Sequence, residues 1–293
     1  MKINTAVIPV AGKGTRFLPA TKNMPKELIP IINKPMIHYA VEEAVLSGID
    51  QVIFVTSSGK HAIEDYFDRN LELEQFLERN GKKESLSRIK KIGEMIEVVT
   101  VRQKEQLGLG HAIKCAEQLV GKNSFAVILG DDLVLSKKPV IKQLMEVSEK
   151  NNGCSVVGVM EVPQQDVNKY GIIDGNIFDE SPNTYKINKM IEKPLPENAP
   201  TNLATPGRYV FDSNIFQYLN TIEKGVGGEY QLTDAINEMA LNENVLAYIF
   251  EGDRYDTGSI NGYLEATVEF ALRDPDLKDL MLKICKEKIN KYE

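Results

Sequence analysis

The chain alternates short, almost wholly apolar runs with longer amphipathic stretches, and that rhythm predicts most of its elements. Thr5–Val10 (TAVIPV), Gln51–Thr56 (QVIFVT), Met95–Val101 (MIEVVTV), Phe125–Leu129 (FAVIL) and Cys154–Glu161 (CSVVGVME) are rich in β-branched side chains. Runs this short, apolar at successive positions, predict strands buried on both faces. Helices are predicted from Pro35 to about Leu46 with Gly48 stopping the first, through the charged stretch from Lys60 to about Gly93, over Gly110–Leu119, and over about Pro139–Lys150. This alternation argues for a parallel sheet covered by helices on both faces.

After Pro163 the pattern changes. Gly171–Phe178 and Tyr185–Ile191 read as antiparallel strands around a turn at Ser181-Pro182-Asn183, and Leu203–Phe211 as a strand returning to the sheet. A helix at Gln231–Ala240, a strand at Val245–Phe250 and a helix at Ser259–Leu272 follow, and the charged, amphipathic stretch Asp274–Tyr292 comes last. With no internal repeat, low-complexity segment or long linker, one compact domain with an inserted β element is expected.

Charge adds what periodicity does not show. The chain is acidic, with a net charge of -7, yet residues 1–26 carry Lys2, Lys13, Arg16, Lys22 and Lys26 and no acidic residue. A buried strand emptying into a glycine-containing cationic loop suits an anion: glycine lets backbone N–H groups approach phosphate oxygens, and Lys and Arg neutralise them. The loop is not a Walker A motif, since the G-K-[ST] ending is missing. A dinucleotide fingerprint would need a third glycine where Phe17 stands. Overall acidity without a basic tail argues against nucleic acid as a partner. Cys115, Cys154 and Cys285 are far apart, so neither a disulfide scaffold nor structural zinc is expected. The N-terminus enters a strand with no signal-peptide pattern, and no apolar run approaches the roughly 18 residues of a membrane span. A cytoplasmic protein with no membrane partner is expected.

In an open α/β sheet, ligands bind beyond the C-terminal ends of the strands. Three segments belong there: the loop at 11–26, the turn Gln103–Gly110, and Gly130-Asp131-Asp132. An acid ending a buried strand is a poor core residue. It suits either the cap of a following helix or Mg2+, which takes hard oxygen ligands from one or two carboxylates plus phosphates and waters. His38, His61 and His111 have no metal-ligand spacing, and no Ser/His/Asp or Cys/His nucleophile set is suggested.

At the opening loop the residues resemble a known family. Ala11-Gly-Lys-Gly-Thr-Arg-Phe-Leu-Pro-Ala-Thr-Lys22, followed by Pro25-Lys-Glu-Leu-Ile-Pro30 and Lys34-Pro-Met36, is similar to the signature of sugar-1-phosphate nucleotidylyltransferases. The likeness runs over nearly the whole chain, through Arg102–Ala112 (RQKEQLGLGHA), Lys169–Asp174 (KYGIID), Ile191–Pro194 (IEKP), Gly228–Ile236 (GEYQLTDAI) and Tyr255–Ser259 (YDTGS). Motifs in a fixed order are more specific than any one of them. The combination of F-L-P-A-T-K with Q-L-G-L-G-H-A favours the uridylyl branch over the thymidylyl one.

The resemblance implies an α/β fold, a Rossmann-like, mostly parallel (mixed) sheet with helices on both faces and an inserted antiparallel β element. It implies a single domain over 1–293, with a nucleotide-binding part at about 1–135, a sugar-binding part at about 136–272 and a C-terminal helical stretch at 274–292. The reaction implied is UTP plus α-D-glucose 1-phosphate giving UDP-glucose and pyrophosphate, with Mg2+ as cofactor, in a homo-oligomer (dimer or tetramer). Position by position, the nucleotide would meet Ala11, Gly12, Gly14, Thr15, Arg16 and Glu27, with Gln103 and the Gly108 backbone on the uracil edge. Arg16, Lys26 and Lys193 would be the catalytic cations. The sugar phosphate would lie against Asp132, Tyr170, Gly171, Glu192 and Lys193. Asp131 would hold the metal, with Asp256 as a second ligand or as the cap of the helix near Ser259. Asp132 departs from a frequent pattern, in which an apolar residue follows the metal aspartate. Glu229 matches a sugar-side loop or a helix start. A non-catalytic sugar-nucleotide sensor would show erosion at Arg16, Lys26, Asp131 or Lys193, and all four are present.

Overall fold

A computed structural model describes residues 3–292; Lys2, counted above among the cations of the opening segment, lies outside them. In chain order the strands are β1 (Thr5–Pro9), β2 (Pro30–Ile31), β3 (Lys34–Pro35), β4 (Gln51–Thr56), β5 (Glu97–Arg102), β6 (Phe125–Ile128) and β7 (Asp132–Leu135), then β8 (Ser155–Glu161), β9 (Gly171–Phe178), β10 (Ser181–Glu192), β11 (Leu203–Thr205), β12 (Arg208–Phe211), β13 (Val245–Ile249) and β14 (Asp253–Asp256). Ten of them form one mixed sheet in the order β11-β9-β10-β13-β8-β12-β6-β1-β4-β5. β6, β1, β4 and β5 run parallel, as do β8 and β13. β12 enters antiparallel between β6 and β8, and the hairpin β9–β10 with β11 completes the far edge.

The runs at β1, β4, β6 and β8 are buried on both faces because their side chains alternate between two cores, whereas β5, expected to be buried likewise, is an edge strand with none of its residues fully buried. Val7, Ile53, Val55, Phe125 and Val127 point to one core, with the helices Leu109–Lys114, Ile215–Thr221 and Leu232–Asn242. Ala6, Ile8, Val52, Phe54, Ala126 and Ile128, their immediate neighbours, point to the other, with the helices Met36–Leu46 and Val140–Lys150. The period of two that directs this alternation is the strand's own geometry.

The structure departs from the expected elements at several points. Leu203–Phe211 is two strands, broken at Pro206-Gly207, where Gly207 takes φ 103° and the chain changes neighbours. The hairpin turn is at Asp179-Glu180, both with positive φ, and not at Ser181-Pro182-Asn183, which belongs to β10. Two residues with φ > 0 match the right-handed twist of a hairpin, so this turn needs no Pro. The helix expected over 110–119 divides into Leu109–Lys114 and Glu117–Val120. β7 and β14 form a separate two-stranded ribbon with Asp256 opposite Asp132.

This topology brings the three suspected segments together. β1, β4 and β5 end in register, with Val10 N–H donating to Val55 O (2.9 Å) and Gln103 N–H to Thr56 O (2.8 Å). Their following loops, and the one after β6, therefore share one end of the sheet.

Candidate active site

The opening loop is shaped by its own polar groups. Gly14 takes φ 65°, and its carbonyl accepts from the Thr21 hydroxyl at 2.7 Å. A Cβ on Gly14 would lie 3.1 Å from Lys26 Cβ. Glycine here satisfies both a left-handed backbone and a close packing contact. The Ala11 carbonyl accepts from Gln106 Nε2 (2.6 Å) and Ser57 Oγ (3.1 Å), so two neighbouring loops are tied to this one.

A cavity of 320 Å³ opens against that loop, lined by Ala11, Gly12, Lys26, Gln103, Gly108 and Asp131 among others. Gly108 has φ 98°, and a Cβ there would stand 2.7 Å from Glu229 Cβ. The 228–231 segment is zipped onto this turn: Tyr230 N–H donates to Leu107 O (2.8 Å) and Gly110 N–H to Tyr230 O (2.9 Å). Glu27 reaches the cavity wall but is only 2% exposed, and its Oε2 accepts from Lys60 Nζ at 2.6 Å. Burial pushes the Glu27 carboxyl up, with Lys60 and Lys26 opposing.

A second cavity, of 620 Å³, lies on the other side of Asp131. Arg16, Asp132, Tyr170, Gly171, Glu192, Lys193 and Asp256 line it with Asp131. Asp131 is thus a wall of both spaces. Its carboxylate pairs with the Lys26 ammonium. Burial works against the charge on each, but their attraction outweighs it, holding Asp131 below the usual carboxylate range and Lys26 above the usual lysine value.

Asp131 and Asp256 converge on Gly258. A Cβ there would meet Asp131 Oδ2 at 2.6 Å and Asp256 Oδ1 at 3.2 Å, so the glycine keeps a space open between two carboxylates. The Thr257 hydroxyl donates to Asp131 O (2.8 Å), fixing one turn on the other. Two carboxylates and an open cradle fit Mg2+, which draws its remaining ligands from phosphates and water. No group of three or more His, Cys, Asp or Glu side chains is poised for a metal among the described residues. The cap of the helix Ile260–Arg273 is Ser259, whose Oγ accepts from Gly262 N–H at 3.2 Å.

In the second cavity, Glu192 Oε2 accepts from the Thr233 hydroxyl (2.6 Å), and Lys193 Nζ stands 3.5 Å from Glu192 Oε1. Lys193 adopts φ 47°, and its N–H donates to Tyr170 O at 2.9 Å. A Cβ on Gly171 would be 3.4 Å from Glu192 Oε2. Asp132 is engaged by Arg254, whose Nη1 also donates to the Tyr170 hydroxyl at 2.6 Å. Burial pushes the Asp132 carboxyl up to about 7, Arg254 opposing and Asp131 reinforcing.

The residues named from sequence fall into two adjoining walls, with two exceptions. Arg16 lines the second cavity rather than the first, and Gly14 and Thr15 line neither. Sequence reasoning missed Arg254, a lone cation in the otherwise acidic strand β14. It also missed Arg208, 1% exposed, which pairs with Glu43 (2.9 Å) and donates to the carbonyls of Leu129 (3.2 Å) and Asp132. Arg208 grips both flanks of the Gly130-Asp131 turn. An arginine within the strand sequence Arg208-Tyr-Val-Phe211 was the available signal, since a cation inside a buried strand needs a partner.

Comparison with known proteins identifies the family. The family model described as nucleotidyl transferase matches residues 5–272. The UTP--glucose-1-phosphate uridylyltransferase of Staphylococcus haemolyticus (strain JCSC1435) is 50% identical over 286 residues, covering 98% of each chain. A crystal structure of UDP-glucose pyrophosphorylase complexed with UDP-glucose superposes with a TM-score of 0.85 at 42% identity, covering 93% of this chain and 100% of that one. UTP-bound UGPase from Acinetobacter baumannii gives a TM-score of 0.90 at 39% identity, over 98% and 99%. The match over residues 5–272 and the identity over nearly the whole length show that the chain belongs to the nucleotidyl transferase family, alongside the UTP--glucose-1-phosphate uridylyltransferases.

Proposed function

We propose that the protein transfers the uridylyl group of UTP to α-D-glucose 1-phosphate, giving UDP-glucose and pyrophosphate. The observation that carries this reading is that Asp131 lines both cavities, so ligands in the two spaces meet at one carboxylate. In this reading the first space takes the nucleotide and the second the sugar phosphate. The identity to uridylyltransferases over nearly the whole chain supports the choice of substrates.

The new bond joins a phosphate oxygen of glucose 1-phosphate to the α-phosphorus of UTP, and the bond from that phosphorus to the β-phosphate oxygen breaks. A phosphate monoester has a second pKa near about 6, so the nucleophile is already largely dianionic at neutral pH. No general base is required. The obstacle is repulsion between two polyanions, and Arg16, Lys26 and Lys193 are assigned to lower it and to hold the groups in line. Mg2+ held by Asp131 and Asp256 would add Lewis-acid screening of the phosphate oxygens. Glu192, ordered by Thr233, is assigned to glucose hydroxyls, with Tyr170 and Gly171 shaping the pocket. Asp132 is assigned to holding Arg254 against that pocket, because its carboxylate is already engaged.

The nucleotide part is assigned to about 1–135 and the sugar part to about 136–272. The helix Lys278–Tyr292 buries none of its residues and exposes Leu280 and Ile289, which supports a second copy of this chain covering it in a homodimer or homotetramer. No helix is long and apolar enough to cross a membrane. Substrates of this class are intracellular metabolites, and the reaction is assigned to the cytoplasm. The test is product identity: incubation with UTP, glucose 1-phosphate and Mg2+ should yield UDP-glucose by mass spectrometry. A folded protein that binds UDP-glucose but forms none would be a sensor instead.

A further inference from the structure

His111, in the helix Leu109–Lys114, takes no part in the chemistry above, yet it touches the residue assigned to the base. Gln103 is 5% exposed, and its Nε2 lies 3.1 Å from Gly108 O and 3.0 Å from His111 Nδ1. A backbone carbonyl can only accept, so the nitrogen end of the amide must face Gly108. Both amide hydrogens are then committed, one to Gly108 O and one to His111 Nδ1. The second bond requires a bare Nδ1, which puts the imidazole proton on Nε2. What Gln103 has left for a ligand is Oε1, which only accepts.

We infer that His111 is a positioning residue that locks Gln103 as a hydrogen-bond acceptor, so the site takes a pyrimidine bearing N3–H and refuses one with a bare N3. Uracil and thymine present that N3–H. Cytosine presents a lone pair, which would face Oε1 with no proton between them. The inference rests on the assignment of Gln103 to the base. It places the selection against cytosine in a pair of side chains, Gln103 and His111, and leaves thymine undiscriminated, since its imide edge is the same.

A protonated His111 would undo the lock, because Nδ1–H would then donate toward Gln103 and its amide could no longer satisfy both neighbours. The groups facing the ring are Lys114 on its own helix, Glu105 from the preceding loop, Lys224 from the 222–230 segment, and the Tyr230 ring at 6.2 Å between centroids. Burial, aided by Lys114 and Lys224 and opposed by Glu105, lowers the His111 pKa, so the neutral ring is the resting form at neutral pH.

The experiment compares UTP and CTP as the kcat/KM ratio, because protonation of the shared phosphates cancels in a ratio. His111→Leu, which removes the acceptor, should lower the UTP/CTP ratio about tenfold, mainly through KM for UTP. His111→Asn, whose Oδ1 can stand in for Nδ1, should keep most of it. In the unsubstituted enzyme the ratio should fall as pH is lowered below about 6.5 and through the His111 titration, and in His111→Asn it should stay level. Imidazole ¹⁵N shifts should report a proton on Nε2 of His111. A UTP/CTP ratio unchanged within about twofold in folded His111→Leu, or a proton on Nδ1, overturns the lock. Gln103→Leu separates the two levels of the account. If it leaves base preference intact, the assignment of Gln103 to the base fails and the lock with it. If it abolishes preference while His111→Leu does not, only the lock fails.

Discussion

Lys26 and Asp131, 105 residues apart in sequence, close an ion pair where the two cavities meet, with side chains 16% and 22% exposed. Each charge neutralises the other while no substrate is bound, so neither stands as an unpaired, largely buried ion. Polyanionic substrates and a divalent cation offer each a stronger partner. Lys26→Ala should therefore lower kcat/KM roughly 10²–10³-fold while the protein stays folded by circular dichroism. Near-normal kcat/KM in that variant would remove Lys26 from the chemistry.

Gly258 is predicted to be irreplaceable for a different reason. A methyl group there would be driven against Asp131 Oδ2 and toward Asp256 Oδ1. Gly258→Ala should weaken metal binding by roughly 10–100-fold, read from Mn2+ titration followed by electron paramagnetic resonance and from the Mg2+ concentration giving half-maximal rate. Unchanged metal affinity would mean that the two carboxylates do not share an ion.

Arg208 ties the site to the core. Its guanidinium bonds Glu43 and the carbonyls on either side of the Gly130-Asp131 turn, and it is fully enclosed. Removing one partner leaves a buried carboxylate, which costs about 3–5 kcal/mol. Arg208→Ala should lose that much in urea unfolding, and Arg208→Lys should recover only part, because an ammonium cannot reproduce the planar fork. The double variant with Glu43→Ala should lose less than the sum of the two singles.

His38 gives the pH dependence of stability a direction. It is 5% exposed, with Nδ1 2.9 Å from the Tyr66 hydroxyl. Burial lowers its pKa, Lys34 adding and Glu42 opposing. The unfolded chain takes up a proton near about pH 6.5, the folded one only at lower pH, so the unfolded state binds more protons through that window. The His38 contribution to stability should fall as pH drops below about 6.5, against an opposite contribution from Asp132, whose raised pKa makes the folded state the better proton binder below about pH 7. Between about pH 7.5 and about pH 5.5 the Tm of the unsubstituted protein should fall relative to that of His38→Asn; a parallel response in the two would show that His38 stays unlinked to folding.

Much of this was legible in the chain. The strands β1, β4 and β6 announce themselves because both faces of each are apolar, and Gly14 and Asp131 follow from where β1 and β6 end, while Gly108 follows the edge strand β5. The ribbon β7–β14 was not legible: Asp132–Leu135 and Asp253–Asp256 are four residues each, and only their pairing across the fold makes them strands. The same pairing brings Arg254 to Asp132, a contact between residues 122 apart that no local pattern encodes. Pro182-Asn183 has turn chemistry but lies in a strand, beside an irregularity between Ser181 and Tyr185 that accommodates a residue without an N–H. Glu27 was assigned from the loop alone, and its burial against Lys60 depends on a segment 33 residues away.

The most direct test of the central reading is pyrophosphate release with glucose 1-phosphate and Mg2+, comparing UTP, dTTP, CTP, ATP and GTP, for the unsubstituted protein and for Asp131→Asn. UTP should be strongly preferred, and Asp131→Asn should lose roughly 10²-fold or more with every nucleotide used. Preference for dTTP would keep the site and change the branch. No turnover with any nucleotide in the folded protein, or full activity in Asp131→Asn, would contradict it.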